Sequence, residues 1–533
     1  MSALQPLPRY IGLDAKRLSI LAAFVGLATV LLAAAMVAPL DYDEEQYVAG
    51  AWFARWLSPY ADFVSLQPPP YTWLVSLVYQ IADGWYLLAG RVVTWLLGVA
   101  SCVLLFSLLR SCGVDRFVAF VLVLAFVTSS FMRGPLVQTR NDIMPMFFLL
   151  AGLRLYFVER DIARGAHRLA WSGLFVALAA ATKYSYVFAA PILAAALVYD
   201  EHLRRGGQRT LDKLRPAAFV LGATAGMLPV LYALAVHRET FVFMTLDFHT
   251  DAAFDWYRSH GRGQMLTTGY KLKSMAGRLM ESGNATILLV FALSAAALAR
   301  AHPTRAGRRF PRLDAQGVAL AGLVAGASVT ALAVGPHAMY YAPVAAMGAL
   351  LAGRTCAQVR WSIPRPLIAM LLIICLLPAL PALKRYAGLL LRSTDVEQWT
   401  GVQAHRNAVR ISDILAGQGV TGHVATLFPT TVIDANSVLP EFSAGPFFFR
   451  SADRYPDAYV DQLNAVGPAT LDRLFASSPP AAIVAGFRGF RYFNAMDTAL
   501  IEYARRSGYS LMIDDLNVNG YRHGQVWVRV PHD

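Results

Sequence analysis

The stretch LLAAAMVAPLDYDEEQYVAG, residues 31–50, runs from an apolar segment straight into four carboxylates within five positions, Asp41, Asp43, Glu44 and Glu45. Upstream, apolar residues extend almost unbroken from Leu18 to Leu40, and about 20 such residues suffice for a helix to cross the roughly 30 Å hydrocarbon layer. Arg9, Lys16 and Arg17 precede the run as in a secretory signal. Its apolar core exceeds the roughly 7–15 residues of a signal's apolar region, however, and further apolar segments follow it. It reads as an uncleaved first membrane helix, with the acid cluster at a membrane edge.

Composition extends that reading to the whole chain. Of 533 residues, 56% are hydrophobic and only 15% charged, where a soluble protein carries about a quarter charged. Apolar windows recur at 87–109, 117–131, 143–158, 169–182, 186–200, 216–236, 285–300, 315–334, 339–353 and 366–382. The expected fold is a polytopic α-helical membrane protein of about eleven transmembrane helices, some short enough to need neighbours that shield their ends. The net charge of +13 sits mostly in short loops, so no nucleic-acid partner is expected. Four cysteines, Cys102, Cys112, Cys356 and Cys375, lie in or beside predicted spans and form neither a disulfide framework nor a zinc motif.

Alternate loops separate by charge. ERDIARGAHR, EHLRRGGQRTLDKLR, HPTRAGRRFPR and RTCAQVRWSIPR are Arg-rich, whereas TKYSY and GPHAM are nearly free of cations. The positive-inside rule puts the rich set in the cytoplasm. The acid cluster, the loop RGPLVQTRND, the segment 237–284 and the tail from 385 then face outward, into the periplasm or cell exterior. The run PPPYTWLVSLVYQIADG holds too few apolar residues to cross, and it reads as a helix along the outer interface within a loop spanning 41–85. Residues 1–384 are thus expected as the transmembrane catalytic domain, and 385–533 as an extracytoplasmic α/β domain with strands in HVATLF, AAIVAGF, YSLMIDD and QVWVRV.

Four like charges in five residues repel one another, and clusters that keep such strain are candidates for function. On a helix over 43–56, Asp43, Gln46, Tyr47 and Gly50 share one face. Asp43 is the candidate base or metal ligand and Glu44 its helper, while Asp41 and Glu45 are read as solvent-facing. Asp142 stands at the equivalent depth of the next outward loop, beside Arg140 and Asn141, with an ion pair to Arg140 or Arg133 as the plain structural reading. Lys183 is the sole cation of one outer turn, and His337 with Tyr340 and Tyr341 marks another. Acids and cations gathered at one depth describe a site that handles a proton and an anion; no well-placed Walker A, HExxH or GxSxG motif competes. The segment DFHTDAAFDWYRSHGRG is long enough to be a lid, or a structured cap over the bundle.

DEEQY (43–47) resembles the first-loop signature of the GT-C glycosyltransferases, the group of the protein O-mannosyltransferases and lipid A aminoarabinose transferases. QPPPYTWLVSLVYQI, AGRVVTWLLGV, NDIMPMFFLLAGLRLYF, GLFVALAAATKYSYVFAAP and HAMYYAPVAAMGALLAG follow in the order of that family's later motifs, over roughly residues 15–385. The resemblance implies inverting transfer of a sugar from a polyprenyl-phosphate carrier to an envelope glycan, lipid or protein acceptor outside a bacterial inner membrane. It implies Asp43 as general base and Lys183 as the contact of the departing phosphate, with Arg140, His337, Tyr47 and Tyr341 as further substrate contacts and Asp142 as a second acid. Gln67 stands where the aminoarabinose transferases carry a lysine, which puts more weight on Lys183. Metal use varies in the family, so a divalent cation on Asp43, Asp142 and His337 stays open and no other cofactor is expected. A transporter or flippase of lipid-linked sugars, with charges near mid-bilayer in repeated halves, and a non-catalytic envelope-assembly subunit are the rival readings.

Overall fold

The computed structural model describes residues 15–157, 165–204, 214–301, 315–333, 337–359, 365–451, 454–487 and 495–530. Every apolar window carries helix, whereas the Arg-rich loops behind the orientation argument lie largely outside the described residues. Among the described residues, five helices are long and apolar enough to cross a membrane, and a sixth span is formed if Leu214–Gly226 and Leu228–Val236, bent by 47°, count as one. Arg116–Thr128, Ile143–Phe157 and Tyr184–Asp200 are shorter apolar segments. Several glycines let neighbouring helices meet at backbone distance: a Cβ at Gly222 would lie 1.8 Å from the Ala170 carbonyl oxygen.

The acid cluster is first of all a helix start. Pro39 ends the Ala15–Val37 run, and Asp41 caps the helix Tyr42–Phe53 by accepting from the Asp43 amide at 3.0 Å, while Glu44 accepts from the Asp41 amide at 3.2 Å. This reciprocal arrangement is a capping box. Pro69 and Pro70 likewise open the helix Pro69–Tyr79 at its first turn, where a missing N–H costs nothing. At about 1.5 Å per residue that helix reaches only half the membrane's apolar thickness.

The last apolar helix continues through Leu380–Arg392, so the boundary expected at 385 falls inside a helix. Beyond it the four expected strands form one sheet, β1 (Val424–Thr426), β2 (Ala482–Ala485), β3 (Tyr509–Val518) and β4 (Tyr521–Arg529), in the order β1-β2-β4-β3. β1 and β2 are parallel, and β4 runs antiparallel to both its neighbours. The helix Ala495–Arg506 ends before Gly508, at φ +75, as its terminal arginines and glycine predict.

This C-terminal part packs on the end of the first helix. Leu40 donates its amide to the Asn519 carbonyl at 2.7 Å, and Thr400 Oγ1 donates to the Ala38 carbonyl at 2.6 Å. Gly520, at φ +117 in the β3–β4 turn, approaches so closely that a Cβ would sit 2.6 Å from the Leu40 carbonyl oxygen. The helix that carries the acid cluster is therefore held on one side by the bundle and on the other by the C-terminal region.

Candidate active site

The acids do not share one environment. Asp43 lies at the wall of a cavity, together with Gln46, Tyr47, Gln67, Arg140 and Lys183. Its Oδ2 pairs with Arg140 Nη2 at 2.6 Å, and Oδ1 has no protein hydrogen bond among the described residues. Arg140 also holds Asp41 and Asp142, each at 3.0 Å, and Asp142 pairs in turn with Lys183. Three carboxylates thus converge on two cations. Asp142 is buried, yet the Lys183 and Arg140 charges hold its carboxyl below the usual range; burial pushes Asp41 up to about 6. The salt bridge expected for Asp142 forms, to Arg140 rather than Arg133.

Two expectations about the cluster are corrected. Glu45 does not face solvent: it is fully buried, and its Oε2 accepts from the Thr430 amide at 2.9 Å and from Thr430 Oγ1 at 2.6 Å. Asp41 is only partly exposed and is tied to Arg140. Glu44, the expected helper, is fully buried too. Its oxygens accept from Arg91 Nε at 3.0 Å, Arg91 Nη2 at 2.7 Å and the Thr139 amide at 2.7 Å, so it positions the site from beneath the cavity.

Burial pushes the Glu45 carboxyl from its ordinary 4.5 up to about 8. A carboxyl that binds its proton more tightly when folded contributes stability that is complete below about pH 4.5 and is lost progressively as pH rises to about 8. Glu45→Gln removes this titration. The melting temperature of the wild type in detergent is expected to fall more steeply between about pH 5 and pH 8 than that of the variant; parallel curves would refute the assignment.

Tyr47, Gln67 and His337 line the cavity. The Tyr47 hydroxyl donates to Asn141 Oδ1 at 2.7 Å, and Asn141 Nδ2 donates to Gln67 Oε1 at 2.8 Å, so a neutral amide relay fixes that wall. Gly50 instead packs beneath Phe63 and Thr72. His337 hydrogen-bonds the Tyr257 hydroxyl at 2.6 Å, and burial lowers it to about 4, so near neutrality it offers a hydrogen bond and no charge. Tyr341 is displaced from its expected role: it is fully buried against Phe131, and Tyr340 takes the cavity position, its ring 5.2 Å from Lys183 Nζ.

The segment 237–284 forms part of the roof, contributing His249, Phe254 and Tyr257. Arg450 and Phe447 arrive from the C-terminal region and were not anticipated; Arg450 stacks 4.4 Å from the centres of both Trp256 and Phe447. Their only sequence signal is the aromatic run GPFFFR in an otherwise polar region.

As a divalent-metal site the residues do not fit. Both Asp142 oxygens are engaged by Arg140 and Lys183 and one Asp43 oxygen by Arg140, and no group of three potential ligands converges among the described residues.

Residues 66–252 match the family model described as dolichyl-phosphate-mannose-protein mannosyltransferase. No curated protein sequence matches the chain. Among solved structures, ArnT from Cupriavidus metallidurans bound to undecaprenyl phosphate aligns at a TM-score of 0.59 and 14% identity, covering 96% of this chain and 98% of that one. Its apo state aligns at 0.59 and 15%, with the same coverage. The arabinofuranosyltransferase AftD from mycobacteria aligns at 0.51 and 15% identity over 97% of this chain and 40% of that one. At such identities the likeness establishes the fold.

Proposed function

We propose that this chain, whose fold aligns with the solved ArnT structures and whose residues 66–252 match the mannosyltransferase model, is a membrane glycosyltransferase that moves a sugar from a polyprenyl-phosphate carrier to an envelope acceptor on the outer face of the cytoplasmic membrane. The observation that carries the reading is the Asp43 carboxylate at the cavity wall, anchored through Oδ2 by Arg140 and with no protein hydrogen bond on Oδ1 among the described residues. Anchoring one oxygen orients the other, which is what a positioned base requires.

In this mechanism the acceptor's oxygen or nitrogen attacks the anomeric carbon from the side opposite the carrier phosphate. The bond from that carbon to the phosphate oxygen breaks, its electron pair stays on the phosphate, and the acceptor proton passes to Asp43 Oδ1. The anomeric configuration inverts. Lys183, Arg140 and Arg450 line the same cavity and would stabilise the developing phosphate charge, in a site whose limited exposure strengthens such interactions. Gln67 contributes a neutral amide to the same cavity.

No step calls for a metal, and chelation is expected to leave the transfer rate unchanged, checked with EDTA-treated protein; a loss that added divalent ions restore would reverse this. The reading as a whole is tested with purified protein, a panel of polyprenyl-phosphate sugars and an envelope extract. Product with at least one donor is expected. Its absence across the panel, with the lipid donors shown to bind, would overturn the assignment.

A further inference from the structure

A second cavity, of about 710 Å³, adjoins the first and shares Arg140, His337 and Met339 with it. Five arginines line it, Arg133, Arg140, Arg278, Arg385 and Arg392, against two carboxylates, Asp41 and Glu281. They come from separate pieces of chain: the loop before Asp142, the helix Thr268–Leu279 and the helix Leu380–Arg392. Of the acids, Asp41 is already committed to Arg140.

Three of these arginines are poorly served by the protein itself. Among the described residues, the buried Nε atoms of Arg278 and Arg385 have no hydrogen-bond partner, and Arg133, Arg278 and Arg385 make no ion pair. Arg385 lies 5.4 Å from the Tyr386 ring centre, a contact that leaves its N–H donors unused. Buried donors without partners and gathered like charges are both unfavourable. An anion with several oxygens relieves both at once, and guanidinium forks match the geometry of phosphate.

We propose that this cavity binds a phosphate-type group of the acceptor, holding an anionic glycan or glycolipid so that its nucleophile reaches Asp43 across the shared wall of Arg140 and His337. The assignment rests on the transferase reading and adds the acceptor's chemical class. It favours the acceptor over the donor because Lys183 and Gln67 line only the first cavity, and the free arginines only the second.

The test uses the full chain in phosphatidylcholine nanodiscs at low ionic strength, with inorganic pyrophosphate as the probe followed by calorimetry. Saturable binding is expected in the wild type. The pair Arg278→Gln and Arg385→Gln should weaken it by about tenfold or more, the corresponding lysine pair should weaken it less, and undecaprenyl phosphate should bind all three proteins equally. Arg133→Gln, at an exposed side chain, carries the same test should the double replacement fail to fold. Equal pyrophosphate binding by wild type and glutamine variants overturns the proposal, as does selective loss of undecaprenyl phosphate. Repeating the titration in phosphatidylglycerol nanodiscs separates the two phosphate sources: unchanged affinity supports an acceptor group, and competition by the lipid assigns the cavity to bilayer headgroups and overturns the acceptor assignment. Because pyrophosphate binding needs no turnover, this test can fail while transfer is observed, and succeed while it is not.

Discussion

Asp43→Asn is expected to lower kcat for sugar transfer by about 10²–10⁴-fold while donor affinity stays the same or tightens. Asparagine keeps the shape of the side chain and an oxygen for Arg140, but it cannot take a proton. It also removes one of the three carboxylates around Arg140, which leaves the cavity more positive toward a lipid phosphate. A residue that served only to balance charge would therefore move donor affinity and leave kcat nearly alone, whereas a base loses kcat. Initial rates against donor concentration, with donor affinity measured separately, distinguish the two. A variant that turns over at the wild-type rate removes Asp43 from the chemistry. Asp41→Asn is the comparison: its carboxyl caps the helix and pairs with Arg140, so its removal should cost far less in kcat.

Much of this site was legible because helical periodicity and membrane depth are local properties. Asp43, Gln46 and Tyr47 were placed on one face by spacing alone, and all three line the cavity. Lys183 and His337 were singled out as polar residues in short outer turns, and both reach it. Depth does not reveal pairing, however. Glu44 and Glu45 stand next to Asp43 in sequence, yet their partners are Arg91 inside a span and Thr430 in the C-terminal region, contacts that no local pattern encodes. The exchange of Tyr341 for Tyr340 has a simpler cause. Ala338–Tyr341 is a 3-10 turn, whose consecutive side chains point about 120° apart, so a one-residue choice cannot be made from α-helical spacing. Arg450 was missed for the opposite reason: it follows directly on a short helix of the C-terminal region, whose docking over the bundle is a tertiary fact.

Replacing Arg91 with Met is expected to destabilise the protein by about 3–5 kcal/mol, the range for removing one partner of a buried ion pair. Both side chains are fully buried, and Arg91 donates two bonds to Glu44 and others to the Ala35 and Ala38 carbonyls at 2.9 and 2.8 Å. Without the guanidinium, Glu44 becomes an uncompensated charge beneath the site. The damage should not stop at stability. Glu44 also receives the Thr139 amide, next to Arg140, and the Asp41 amide, at the start of the helix that carries Asp43. One carboxylate therefore sets the register between the acid helix and the loop that supplies Arg140, Asn141 and Asp142. Glu44→Gln alone leaves the Arg91 guanidinium as the uncompensated charge instead, but the Ala35 and Ala38 carbonyls still accept from it and the glutamine oxygen can still accept from the Thr139 amide, so its cost should be smaller. Combined with Arg91→Met it should recover part of the loss, since the buried charge is then gone from both sides. A double-mutant cycle on melting temperatures in detergent measures that coupling. If the two changes add without coupling, or if Arg91→Met melts and turns over like the wild type, Glu44 and Arg91 do not form the brace on which the Asp43 geometry depends.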